Sequence, residues 1–210
     1  MQRQLAVLLY AFSAVALGAT GNISKVNSSI TLEPGQQAGD VSTVNGSVTI
    51  GSRAQVRDVE TVNGSIRLGE RAQARSVETV NGGVTLGEGV LVSDGVSAVN
   101  GSLTLKPGVR VDGRLENVNG DFELDGAEVR GGLGTVNGDV RVGAGSRIDG
   151  GILVEQSHGW FSRGWGKPPR ITIESGAVVN GTLRFEREVE LRVADGAVIG
   201  RIEGVAPRRL

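Results

Sequence analysis

The chain has 210 residues, 22 of them basic and 23 acidic, for a net charge of −1. That balance argues against a nucleic-acid partner, because binding to phosphates depends on a basic patch that releases counterions. With 34 Gly, 3% aromatic residues and no Cys, the chain has neither the aromatic volume of an ordinary globular core nor disulfides to staple one. Glycine this abundant without a Gly-X-Y period excludes collagen, and an apolar fraction of 39% excludes simple disorder.

The first 19 residues read as a signal peptide. Arg3 supplies a positive charge, Leu5 to Leu17 is apolar, and Ala16-Leu17-Gly18 offers small residues for cleavage. The apolar run falls short of the ~20 residues that a transmembrane helix needs, so no membrane span is expected after cleavage. The expectation is an exported protein, in the periplasm or at the cell surface.

From residue 22 onward a repeat takes over. Val-Asn-Gly begins at Val44, Val62, Val80, Val99, Val118 and Val136, preceded by a degenerate Val26-Asn27-Ser28, at steps of 18, 18, 18, 19, 19 and 18 residues. Self-similarity at a fixed short period marks an architecture in which each unit packs on its neighbours. The apolar positions do not follow helical spacing. They alternate locally, as in Val48/Ile50, Leu103/Leu105, Phe122/Leu124 and Val140/Val142, which is strand behaviour. Gly and Asn stand where the backbone must turn. A hairpin reading of Asn-Gly fails, because the flanking strands are too short and the period too regular.

The spacing therefore predicts an all-β fold: a single-stranded, three-sided parallel β-helix (β-solenoid) with coils of 18 or 19 residues, right-handed winding slightly favoured. Nine or ten coils at about 4.8 Å each make a rod roughly 45 Å long. The Val of each Val-Asn-Gly is expected to stack inward as one apolar column. The Asn residues, from Asn45 to Asn137, form a second column whose amides can hydrogen-bond along the axis; a sugar- or ice-binding role for them is the lesser alternative. Thr43, Thr61, Thr79 and Thr135 form a third column, too broken by Ala98 and Asn117 for an ice-binding ladder. Arg57 and Arg75, and Glu60 and Glu78, lie one period apart and are expected on the solvated outer face.

The period breaks between Glu155 and Arg170. This insertion at 155–170 carries His158, Trp160, Phe161, Arg163, Trp165 and Lys167, including both Trp residues and the single His. Insertions in solenoids become loops on one face, and exposed aromatics among cations suit a glycan or a protein pocket. A loop that folds back to bury its own rings is the competing expectation. Beyond it the repeat resumes at Ile173, Thr182 to Val193 alternates apolar with charged residues, and Ala194 to Gly204 reads as a final coil. Residues 206–210, with Arg208-Arg209, read as a frayed tail. No capping helix is visible, which invites chains to stack end to end.

No catalytic residue, metal site or cofactor site is predicted. One His cannot form a three-His zinc site and no Cys can replace the missing ligands. His158 lacks a visible partner for base catalysis. Asp112, Asp121, Asp125, Asp139 and Asp149 are scattered through turns rather than clustered.

The stretches Val111-Asp-Gly-Arg-Leu115, Ile173-Glu-Ser-Gly-Ala-Val-Val-Asn-Gly-Thr-Leu183 and Ala194-Asp-Gly-Ala-Val-Ile-Gly-Arg-Ile202 resemble bactofilins. That resemblance implies a small right-handed β-helix whose ends stack into filaments without nucleotide. The Val-Asn-Gly-[Ser/Asp] core is similar to the adhesin-like β-solenoids of bacterial envelopes. Neither resemblance implies catalytic residues. The expected role is that of a non-enzymatic envelope scaffold that associates with itself through its ends. The alternative is an adhesin-like module that binds an envelope glycan or protein through the 155–170 loop.

Overall fold

The computed structural model describes residues 21–156 and 167–209. Within them the chain is entirely β: three parallel sheets wound as a β-solenoid of about nine turns. Sheet A has ten strands, from Ile23–Lys25 to Ile202–Gly204, and sheet B has ten, from Ile30–Leu32 to Arg208–Arg209. Sheet C has seven two-residue strands, from Gln73–Ala74 to Val198–Ile199, and the bridges Gln37–Gln55–Gln73 extend its line toward the start of the chain. The backbone visits A, B and C in turn, and each strand pairs in register with its equivalent one coil away, as Val41 does with Val59 and Val59 with Val77.

The core is a narrow shaft of aliphatic columns. Sheet A contributes Val41, Val59, Val77, Val96, Leu115, Leu133, Ile152 and Leu183; sheet B contributes Ile50, Leu68, Leu86, Leu105 and Leu124; all are essentially inaccessible. Sheet C closes the triangle with smaller residues such as Ala74, Val92, Val111 and Val129. A side chain buried there touches the coils above and below, so the shaft needs little aromatic volume. Only Phe122 and Phe185 enter it among the fully buried side chains.

The Val column of the repeat is the main correction to the sequence reading. Val44, Val62, Val80, Val99 and Val118 point outward and are about 40% exposed, and Val136 is half-buried. The residue that turns inward is the Thr before each one. Strand geometry dictates this: Val41 faces in, so Thr43 must also face in and Val44 must face out. The buried hydroxyls then serve the backbone. Thr43, Thr61 and Thr79 donate to the carbonyls of Ser28, Gly46 and Gly64 at 3.0, 2.9 and 3.1 Å, each at the A-to-B corner of the preceding coil. Asn117 does the same with its Nδ2, 2.7 Å from the Gly101 oxygen.

Two corners depend on the absence of a side chain. At the A-to-B corner a Cβ on Gly64 would lie 2.0 Å from the Gly46 oxygen, so the coils can approach only as glycine. At the B-to-C corner nine successive turns pass through the left-handed region; seven use Gly, and Arg53 and Arg71 adopt it at φ of 58° and 54°. Arg208–Arg209, expected to fray, pairs instead with Glu190–Leu191 as the last strand of sheet B.

The Thr column allows a paired test. Thr61→Val removes a satisfied buried bond and is expected to cost about 1 kcal/mol in denaturant unfolding. Thr135 is equally buried, but among the described residues its hydroxyl has no partner. Thr135→Val is therefore expected to be neutral or to raise stability by up to about 1 kcal/mol.

Candidate interaction surfaces

The Asn of each Val-Asn-Gly sits at the A-to-B corner and forms a continuous ladder. Asn45 Nδ2 donates to Asn27 Oδ1, and the same bond recurs from Asn63, Asn81, Asn100, Asn119 and Asn137, at distances of 2.8 to 3.1 Å. An amide carries a donor and an acceptor, so it can stack on copies of itself indefinitely. Every rung points the same way, N–H toward the start of the chain and C=O toward its end. The aligned dipoles leave an acceptor at Asn137.

Arg187 terminates the ladder. Its Nη1 lies 2.7 Å from Asn137 Oδ1 and 3.2 Å from the Val136 carbonyl. The reason lies in the insertion. Val154 pairs with Thr135, which places Gln156 where the next Asn should stand, and the chain leaves the repeat there. In a regular coil the Asn N–H reaches the preceding Val carbonyl, as Asn45 does to Val26 at 2.7 Å. Gln156 N–H turns instead toward Glu186, and Arg187 reaches back across the gap from the following coil. The chain re-enters at Arg170, whose N–H meets Asp139 Oδ1 at 2.8 Å, and sheet B continues without loss of register.

Of the six residues proposed for the loop, only Lys167 is among the described ones; it is exposed at the return. His158, Trp160, Phe161, Arg163 and Trp165 lie outside the described residues. The sequence reading missed Arg187. Its signal is the run Glu186-Arg187-Glu188, which interrupts the alternation of Thr182 to Val193.

Below that corner the outer face of sheet A carries the exposed Val column, beside Ser42, Glu60, Glu78 and Ser97. Together they line a shallow groove running from Ser24 to Val99. At about 4.8 Å per coil, the stripe from Val26 to Val136 is about 29 Å long.

The C-to-A edge resolves the charge rows. Arg57 pairs with Asp40 at 3.0 Å, and Arg75 with Asp58, so each cation meets an acid from the coil below it. Further along, the signs alternate from coil to coil. Arg110 stands in register with Glu128 and Glu128 with Arg147, and Arg130 bonds both Asp112 and Glu128 at 3.0 Å. The Arg75 guanidinium holds the Asp58 carboxyl below its usual range, with the Ser76 hydroxyl assisting. Arg110 does the same for Asp112, and the Asn180 amide and then Arg147 for Asp149.

The two ends of the rod present unpaired strand edges. At the C-terminal end Val193, Val198 and Val205 are exposed, and Ile199 and Ile202 are only partly covered. Leu191, Val193, Ile199 and Arg209 line a cavity of about 220 Å³ that opens onto this end of the core. Compared with known proteins, the chain matches no family model, no curated protein and no solved structure.

Two outcomes follow. Arg187→Ala uncovers the Asn137 acceptor and is expected to cost about 1 kcal/mol, read from chemical unfolding. The acid-side stability should also depend on the paired aspartates. Because the folded pKa values of Asp58, Asp112 and Asp149 lie below the unfolded value of about 3.9, their contribution is complete above that pH and is lost as pH falls through the folded values. Melting curves should be insensitive to these groups near neutrality and drop below about pH 4. In Asp58→Asn that drop should shrink, and salt should shrink it further.

Proposed function

We propose that the chain is a non-enzymatic, exported rod that serves as a scaffold in the cell envelope and extends by stacking end to end. The observation that carries this reading is the unfinished C-terminal coil. A solenoid end exposes the N–H and C=O groups of its last strands, and natural proteins usually cover such edges or charge them. Here the last coil offers strand edges on all three sides together with Val198, Ile199 and Ile202 from the core columns. A second copy that continues the columns would bury this surface and pair the open edges. The leader-like segment around Leu5 to Leu17 supports export, and the resemblance to polymer-forming β-helices points the same way.

A second reading is favoured by the exposed Val column. A straight apolar stripe on a parallel sheet is unusual, since such sheets are generally covered on both faces. On this reading the chain is an adhesin-like module that engages an envelope glycan or protein through that flank and the neighbouring 155–170 insertion.

Electron microscopy and sedimentation of the processed chain across a concentration series separate the two. The scaffold reading expects filaments or linear oligomers that lengthen with concentration. Val198→Lys, at a position already 55% exposed, should abolish them and leave the monomer's β-sheet signal unchanged. A chain that stays monomeric throughout sinks the scaffold reading. Retention on an envelope glycan that is lost in Val80→Glu and in Trp160→Ala would support the alternative.

A further inference from the structure

Seven Asn-Gly pairs lie in this chain, and Asn-Gly is the dipeptide most prone to intramolecular attack on the side-chain amide, since Gly places nothing in the way of its own nitrogen. In the attack the backbone N of Gly gives up its proton and bonds to Cγ of Asn. The Cγ–Nδ2 bond breaks, Nδ2 takes up protons and leaves as ammonia, and water opens the resulting cyclic imide to aspartate or isoaspartate. No oxidant or cofactor is consumed. The ladder should suppress this chemistry along most of its length. The N–H groups of Gly46, Gly64, Gly82, Gly101 and Gly120 are each donated to the Asn carbonyl of the next coil, at 2.9 to 3.0 Å. A nitrogen held in that bond cannot turn toward Cγ without breaking the stack.

Asn137-Gly138 differs in two independent ways. The next coil has Gln156 in place of an Asn at this position, and among the described residues the Gly138 N–H has no backbone acceptor. The Asn137 Oδ1 also receives a guanidinium, Arg187 Nη1 at 2.7 Å, where Oδ1 of the other rungs receives a neutral amide. Negative charge develops on that oxygen as the nitrogen attacks, so a fixed cation there lowers the barrier. Asn137 is exposed, which admits the water for ring opening. Asn180-Gly181 lacks the second feature, since its Nδ2 faces the Asp149 carboxylate at 2.6 Å and a nearby anion opposes the charge that develops.

We infer that Asn137-Gly138 is a built-in site of covalent self-modification, converted to aspartate or isoaspartate while the other Asn-Gly pairs of the ladder are protected. The aspartate product would place a carboxylate against Arg187 in a charge-assisted bond. It would also remove the donor that Asn137 provides to Asn119. The step would mark the rung beside the insertion and leave the rest of the stack intact.

Tryptic mapping by mass spectrometry after incubation of the folded protein in mildly alkaline buffer tests this. Residues 131–141 form a tryptic fragment in which Asn137 is the single Asn. The amide-to-acid mass gain should appear there first, about tenfold or more ahead of the five protected pairs. In denaturant all seven pairs should react at similar rates, and Asn137→Gln should remove the fast phase. Earlier reaction at any other Asn-Gly pair, or a folded-state rate at Asn137 no greater than at the other ladder pairs, overturns the proposal.

Discussion

Every structural feature of this molecule follows from one constraint: the hydrogen-bonded neighbour of each residue is its own equivalent one coil away, at about 4.8 Å. A side chain must therefore be compatible with copies of itself stacked above and below. Aliphatic residues meet that condition when the column faces inward, as Val41 to Leu183 does. An amide meets it at the surface, because it donates one way and accepts the other. Glycine meets it where backbones nearly collide, as at Gly64. Charges do not, since like charges in register repel. This chain answers by alternating Arg110, Glu128 and Arg147, or by pairing Arg57 and Arg75 with acids one coil down.

The same constraint makes interruptions conspicuous. A regular coil satisfies its own corner, whereas the coil that loses its Asn to the insertion strands an acceptor on Asn137 and a carbonyl on Val136. One guanidinium, from Arg187, answers both. Because Arg187 comes from two coils further on, it spans the level at which the chain leaves the rod. The re-entry is tied separately, through Asp139 to Arg170. An insertion can therefore be carried on the flank without disturbing the register of sheet B. The corner is both the mechanical repair of the repeat and the place where the surface ceases to be periodic.

The functional reading rests on where the periodic stack leaves groups unmatched. The interior satisfies itself, so partners are to be sought at the last coil, along the outward Val stripe and beside the insertion. These surfaces have different chemistry. The coil end offers strand edges and aliphatic columns, which suit another copy of the chain. The stripe offers apolar area between an amide ladder and scattered carboxylates, which suits a different kind of partner.

Much of this was legible in the residues alone. The fixed step between Val-Asn-Gly units, the local alternation and the Gly- and Asn-marked corners determine a three-sided parallel solenoid, because no other fold repeats so short a unit so strictly. The amide ladder was legible for the same reason: identical residues at identical positions must stack. The period did not show which way each column faces. Both Thr43 and Val44 recur with the coil, and only the two-residue pleat starting from buried Val41 decides that the Thr turns in to serve corner carbonyls while the Val turns out. Arg187 was likewise invisible, since its role joins residues 50 positions apart across a break in the repeat. Periodicity in a sequence reports which residues share a column. The facing of a column, and the repair of its gaps, depend on contacts between coils that exist only once the chain is wound.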